Sequence, residues 1–186
     1  YKCDVLVEPE AVLPDSESCS RLPGTDGNTK MSKSLGNCIF LKDDENTVSQ
    51  KIMDMYTDPL HIGVNDPGHT ENNPVFSYLD AFCTDEVFAE YMPEYQNLSE
   101  MKEHYRRGGL GDIKCKKLLN NVMQEFLAPI RKRRQDYEKN KTYLLEILKK
   151  GTDHAIEISS RTVSEIRAAI GIDYFTDKSF TDKFVK

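Results

Sequence analysis

From about residue 46 onward, apolar residues recur at helical spacing and glycine and proline cut them into segments, which confines most of the chain to amphipathic helices. Val48, Ile52, Met53 and Tyr56 follow Asn46, which fits an N-cap. Residues 57–73 break the rhythm with Pro59, Gly63, Pro67 and Gly68 and read as a connector. Pro74 suits a first helical position, with Asn73 as its cap and Val75, Phe76, Leu79 and Phe82 on one face. Thr84 or Asp85 can cap a short helix that Pro93 ends. Ser99 opens a helix that runs to the Gly108-Gly109 stop. Asp112 caps the next, whose Cys115, Leu118, Leu119, Val122 and Phe126 form an apolar stripe. Pro129 restarts the chain into a long helix through Leu148 that buries Ile130, Tyr137, Leu144 and Leu148. After Gly151, Ile158, Val163, Ile166 and Ile170 predict a final helix ended by Gly171. The bulk is therefore an all-α bundle.

Residues 1–45 differ. Two short β-compatible runs, Val5-Leu6-Val7 and Cys38-Ile39-Phe40-Leu41, surround a Pro/Gly/Ser-rich stretch. This reads as the edge of an α/β domain holding a long loop, and loops of that length are usually either functional or disordered. The organisation predicted is an α/β edge over 1–45, a helical domain over 46–175 and a polar tail over 176–186.

Charge narrows the partners. The 186 residues carry Lys+Arg 25 against Asp+Glu 31, a formal net charge of −6. Residues 114–134 nevertheless hold seven basic side chains and one acidic, a local +6 that leaves −12 for the remainder. A positive stripe on an acidic body suits selective binding of a polyanion. The five cysteines, at 3, 19, 38, 83 and 115, are scattered and odd in number, which predicts free thiols in a reducing compartment. No Cys/His grouping has zinc-ligand spacing, and the four histidines are isolated, so no metal site and no His-based triad is expected. No run approaches the roughly 20 apolar residues of a membrane span. The chain opens on Tyr1 with Cys3-Asp4-Val5-Leu6-Val7, which reads like the interior of a fold and predicts a piece of a longer protein.

The segment Leu22-Pro23-Gly24-Thr25-Asp26-Gly27-Asn28-Thr29-Lys30-Met31-Ser32-Lys33-Ser34-Leu35-Gly36-Asn37 carries the chemistry. Its glycines loosen the backbone, while two lysines alternate with two hydroxyls. Such a loop can fold over a polyphosphate, with ammonium groups neutralising charge and hydroxyl and backbone N–H groups serving the oxygens.

Lys30-Met31-Ser32-Lys33-Ser34 matches the KMSKS signature of class I aminoacyl-tRNA synthetases. The flanking Leu22–Gly27, Lys51–Pro59, Val75–Phe82, His104–Asp112 and Pro129–Arg134 segments resemble bacterial-type tryptophanyl-tRNA synthetases, and the resemblance extends to about Phe175. It implies a ligase that activates tryptophan with ATP, releases pyrophosphate and passes the amino acid to tRNA(Trp). It further implies that Lys33 stabilises the transition state, that Lys30, Met31, Ser32 and Ser34 shape the ATP loop, and that the backbone near Leu22 approaches the adenine. Mg2+ would accompany ATP, with no metal site on the protein. The helical domain would bind the anticodon, which makes Lys114, Lys116, Lys117, Arg131 and Arg134 candidate tRNA contacts, with Tyr105, Arg106 and Arg107 weaker ones. The family's HIGH motif belongs ahead of KMSKS; His61-Ile62-Gly63-Val64 follows it, lacks the second histidine and reads as connector. The chain thus resembles a C-terminal half: the last edge of a Rossmann-type domain, the loop and the anticodon-binding helices. The resemblance also implies a cytoplasmic enzyme, homodimeric at full length through contacts in the other half, with this portion monomeric and inactive alone. A tyrosyl-type synthetase and a non-enzymatic tRNA-binding module are the rival readings.

Overall fold

The computed structural model describes residues 4–13, 22–27, 30–176 and 178–185. Cys3 and Cys19 lie outside them. The described residues form seven helices: α1 (Glu45–Met53), α2 (Pro74–Phe82), α3 (Glu86–Tyr91), α4 (Leu98–Arg107), α5 (Asp112–Glu138), α6 (Lys141–Ile170) and α7 (Lys178–Thr181). The mostly-α expectation holds. Neither β-compatible run becomes a strand, and there is no strand among the described residues. A strand is stable only with a neighbour to complete its hydrogen-bond ladder, and neither run has one.

The local capping chemistry explains where most helices begin. Asn73 accepts from the Val75 N–H and Pro74 fills the first helical position, as predicted. α1 is capped two residues earlier than expected: Asp44, not Asn46, accepts from the Thr47 N–H at 2.7 Å. α3 starts after Asp85, whose side chain makes no capping bond. α4 starts at Leu98 rather than Ser99, because Asn97 accepts from the Glu100 N–H at 3.0 Å. Its end is the predicted glycine stop. Gly108 has φ 84° and a Cβ there would lie 2.2 Å from the Asn65 carbonyl oxygen, so only glycine fits.

Pro129 does not restart the chain. α5 runs through it to Glu138, so the long helix expected to reach Leu148 is instead divided at Lys139-Asn140. The carbonyl that loses its partner to Pro129 is that of Glu125, four residues earlier, while Arg131 Nη2 donates to the neighbouring Gln124 carbonyl at 3.3 Å. Gly151 does not open a helix either, since α6 passes through it and ends where expected, at Gly171 in the left-handed region (φ 73°). None of the α6 residues is buried, so Leu144 and Leu148, with Tyr137 at the end of α5, are exposed rather than core.

Contacts divide the chain into two units, Leu13–Asp136 and a second made of Tyr1–Val12 with Tyr137–Lys186. The first holds the core: Ile52 and Met55 from α1 and its exit, Phe76, Tyr78 and Leu79 from α2, Phe88 from α3, Met101 and Tyr105 from α4, and Leu118, Leu119 and Leu127 from α5. Each fully buried aliphatic or phenyl side chain contributes about 1.5–3 kcal/mol of hydrophobic stabilisation. In the second unit the tail carries α7, with Phe180 stacked between Tyr174 and Phe184 at centroid distances of 5.2 and 4.9 Å.

Candidate functional site

The Leu22–Leu41 segment is held to the helices at several points. The Tyr78 hydroxyl on α2 donates to the Pro23 carbonyl at 3.1 Å and to the Met31 sulfur at 3.5 Å. The Tyr56 N–H donates to the Thr25 carbonyl at 2.9 Å, and Lys51 Nζ reaches the Cys38 carbonyl at 3.0 Å and Asp43 at 2.5 Å. Leu22 and Met31 pack against the core. Burial of the Tyr78 phenol pushes its pKa up to about 12, so it remains a donor.

Within the loop, Asn37 is buried and organises both ends. Its Nδ2 donates to both carboxylate oxygens of Asp26, at 3.0 and 3.1 Å, and to the Lys30 carbonyl at 3.2 Å. Its Oδ1 accepts from the Ser32 N–H at 2.7 Å, and its carbonyl accepts from the Thr25 N–H at 2.9 Å. Ser32 and Ser34 share a hydroxyl–hydroxyl bond of 2.8 Å. Gly36 closes a turn on the Lys33 carbonyl at 3.3 Å. Lys30, Lys33 and Ser34 stand exposed, while Met31 and Ser32 are half-buried. Neither ammonium is held in an ion pair among the described residues. Beside them, a cavity of about 450 Å³ is lined by Met31, Ser32, Lys33, Cys38, Ile39, Phe40 and Leu41. Two solvated ammonium groups, paired hydroxyls and a shaped backbone are what a polyphosphate requires.

The basic stripe separates into different environments. Lys114 and Lys117 lie one turn apart on the exposed side of α5 and line a cavity of about 320 Å³ with Tyr91, Glu94 and Asn121. Lys116 is 7% exposed and donates at 2.7 Å to both the Met53 and Met55 carbonyls, so it closes the exit of α1 and is not offered to a nucleic acid. Burial lowers its pKa. Arg131 is mostly covered, with Nη2 on the Gln124 side chain at 2.8 Å and Glu45 at 3.6 Å. Arg134 is exposed near the end of α5. Arg106 bridges to Glu71 at 2.9 Å. The Glu71 carboxyl is held down to about 2 by its own backbone N–H and by Arg106.

The connector holds a polar cluster that sequence reasoning missed. His61 Nδ1 lies 2.9 Å from Asp112 Oδ2, the Tyr105 hydroxyl donates to Asp112 Oδ1 at 2.8 Å, and the His61 and Tyr105 rings meet edge-on at 4.6 Å. Burial and the Asp112 carboxylate push the Tyr105 pKa well above its usual range. No spacing signals this cluster, since its members are 51 and 7 residues apart. Asn72, beside the cap of α2, takes φ 59°, a conformation that asparagine tolerates better than most residues. Asp58 accepts from the Leu60 and His69 N–H groups and faces His69 Nδ1 at 2.7 Å, which pins two ends of the connector.

Residues 3–128 match the sequence family described as tRNA synthetases class I (W and Y). The chain belongs to that family. It is 53% identical over 175 residues to the tryptophan–tRNA ligase of Streptococcus mutans, covering 94% of this chain and 49% of the relative. It is 50% identical over 177 residues to that of Clostridium longisporum, covering 95% and 49%. This class I synthetase chain thus spans about half the length of the curated relatives it matches. Its fold is similar to the tryptophanyl-tRNA synthetase from Campylobacter jejuni crystallised with ADP and tryptophan, at TM-score 0.65 and 27% identity, over 84% of this chain and 45% of that one. Among the described residues no helix is long and apolar enough to cross a membrane, and no group of His, Cys, Asp or Glu could hold a metal ion. Cys38, Cys83 and Cys115 are free thiols.

Proposed function

We propose that this chain is the C-terminal part of a cytoplasmic tryptophan–tRNA ligase. In the reaction, a tryptophan carboxylate oxygen attacks the α-phosphorus of ATP and the bond to pyrophosphate breaks; the 3′-terminal hydroxyl of tRNA(Trp) then attacks the carbonyl of tryptophanyl-adenylate, forming the ester and releasing AMP. Lys33 carries the charge that grows on the leaving pyrophosphate; Lys30, Met31, Ser32 and Ser34 surround the triphosphate, and the Leu22 backbone meets the adenine. Mg2+ travels with the nucleotide. Residues 1–45 complete the catalytic domain, 46–175 bind the anticodon and 176–186 form the tail. Lys114, Lys117 and Arg134 are the tRNA contacts this geometry favours. The full-length enzyme is a homodimer.

The observation that carries this reading is the Lys30–Ser34 loop, pinned through its backbone while both ammonium groups face solvent. Positioned charge is most of what phosphoryl displacement asks of a protein. The relatives at about half identity support the choice of tryptophan. Amino-acid-dependent exchange of labelled pyrophosphate into ATP by the full-length protein tests it. Exchange with tryptophan and none with tyrosine is the expected result. Exchange with tyrosine alone would make it the tyrosyl enzyme, and none with either would leave an RNA-binding module.

A further inference from the structure

We propose that Asn37, oriented by Asp26, is a positioning residue that sets the conformation of the Lys30–Ser34 loop and, through it, the placement of Lys33. This rests on the ATP-loop reading above and deepens it. A primary amide has one acceptor and two donor hydrogens, and Asn37 uses all of them on loop elements. One hydrogen is shared by the two Asp26 oxygens, the other goes to the Lys30 carbonyl, and Oδ1 receives the Ser32 N–H.

The Asp26 contact fixes which way the amide faces. Only an N–H can point at a carboxylate, so the oxygen must turn toward Ser32 and the second N–H toward Lys30. The side chain therefore clamps the backbone on both sides of Met31, three residues and one residue ahead of Lys33. The geometry has no slack, because a Cβ on Gly24 would lie 2.3 Å from Asn37 Nδ2 and 2.5 Å from Asp26 Oδ1. Asn37 itself is 4% exposed. On the Lys30–Ser34 loop it acts through backbone groups.

Asn37→Asp keeps the size and the acceptor for Ser32 but sets a carboxylate against Asp26 and the Lys30 carbonyl. The exchanged pair, Asp26→Asn with Asn37→Asp, restores a donor facing a carboxylate and keeps the acceptor for Ser32, while the Lys30 carbonyl still lacks its donor. In the 186-residue chain, limited trypsin cleavage after Lys30 and Lys33, followed by mass spectrometry, should accelerate at least fivefold in Asn37→Asp and fall part of the way back toward the parent in the exchanged pair. Asp26→Ala, at an exposed position, should accelerate it in the same direction and decides the matter should Asn37→Asp not fold.

In the full-length enzyme, with rates normalised to active sites by adenylate burst, Asn37→Asp should raise KM for ATP and lower kcat about tenfold while KM for tryptophan stays within twofold. The exchanged pair should recover part of each. Unchanged cleavage in both single variants, or an exchanged pair no better than Asn37→Asp, would overturn the proposal. A full-length protein without amino-acid-dependent exchange would refute the ligase reading, and the cleavage experiment would still decide the clamp.

Discussion

Lys116 Nζ donates to the Met55 carbonyl at 2.7 Å, across 61 residues of chain. With the matching bond to Met53 it satisfies two carbonyls where α1 ends. Lys116→Met should therefore destabilise the chain by about 2 kcal/mol, the scale of hydrogen bonds from a charged donor. Urea unfolding should show the loss, and tRNA affinity measured below the transition should not change. A variant as stable as the parent but weaker on tRNA would return Lys116 to the binding surface.

Lys33→Ala in the full-length enzyme should slow adenylate formation about a hundredfold, equivalent to about 3 kcal/mol of transition-state stabilisation. Tryptophan binding should hardly move. Single-turnover quench-flow separates the two, and an unchanged rate would remove Lys33 from the chemistry.

The exposed pair Lys114 and Lys117 should matter to tRNA through phosphates. Replacing both with Gln should weaken tRNA(Trp) binding and flatten its dependence on salt. Arg134→Gln, made separately, tests the far end of α5. Titrations at several salt concentrations check this, and parallel lines for all variants would reduce the stripe to an ordinary solvated surface.

The Lys116, Lys114/Lys117 and Arg134 variants divide a stripe that reads as one feature in the sequence. Charge at helical spacing shows which residues share a helix, but not that the exit of α1 would need Lys116 or that Gln124 would engage Arg131. Both depend on contacts made by folding. Asn73-Pro74 was legible because a cap and a first-turn proline are decided within three residues. Pro129 was not, since the cost of a missing N–H depends on what surrounds the helix, and there Leu127 and Ile130, packed against the core on either side of the proline, hold α5 in place. The KMSKS pentapeptide was plain in sequence, whereas its Asp26–Asn37 support joins residues 11 apart across a turn.

Acid should loosen the connector through Asp58. Burial alone would raise its pKa, but the Leu60 and His69 N–H groups and the His69 ring outweigh it and hold the pKa below the ordinary 3.8. The ionised form is therefore favoured by folding, so its stabilisation is complete above about pH 4 and fades as pH falls through the lowered folded value. Melting temperatures from pH 6 to 2 should fall less steeply for Asp58→Asn than for the parent. Equal slopes would mean that other carboxylates govern the acid limb.

The isolated 186 residues should catalyse no tryptophan-dependent pyrophosphate exchange, because charge at Lys33 is useful only where ATP and tryptophan are held in line. Exchange above a Lys33→Ala control would place a complete active site within this chain.

Cys38 directly follows Asn37, and its thiol is 6% exposed, lying 3.8 Å from the Ser32 carbonyl. Alkylation requires a thiol that reagent can reach. Its modification under native conditions is thus timed by how often this stretch of backbone parts from its surroundings. The loop comes with its own clock, readable by iodoacetamide without any introduced label, and nucleotide that closes the loop should slow it.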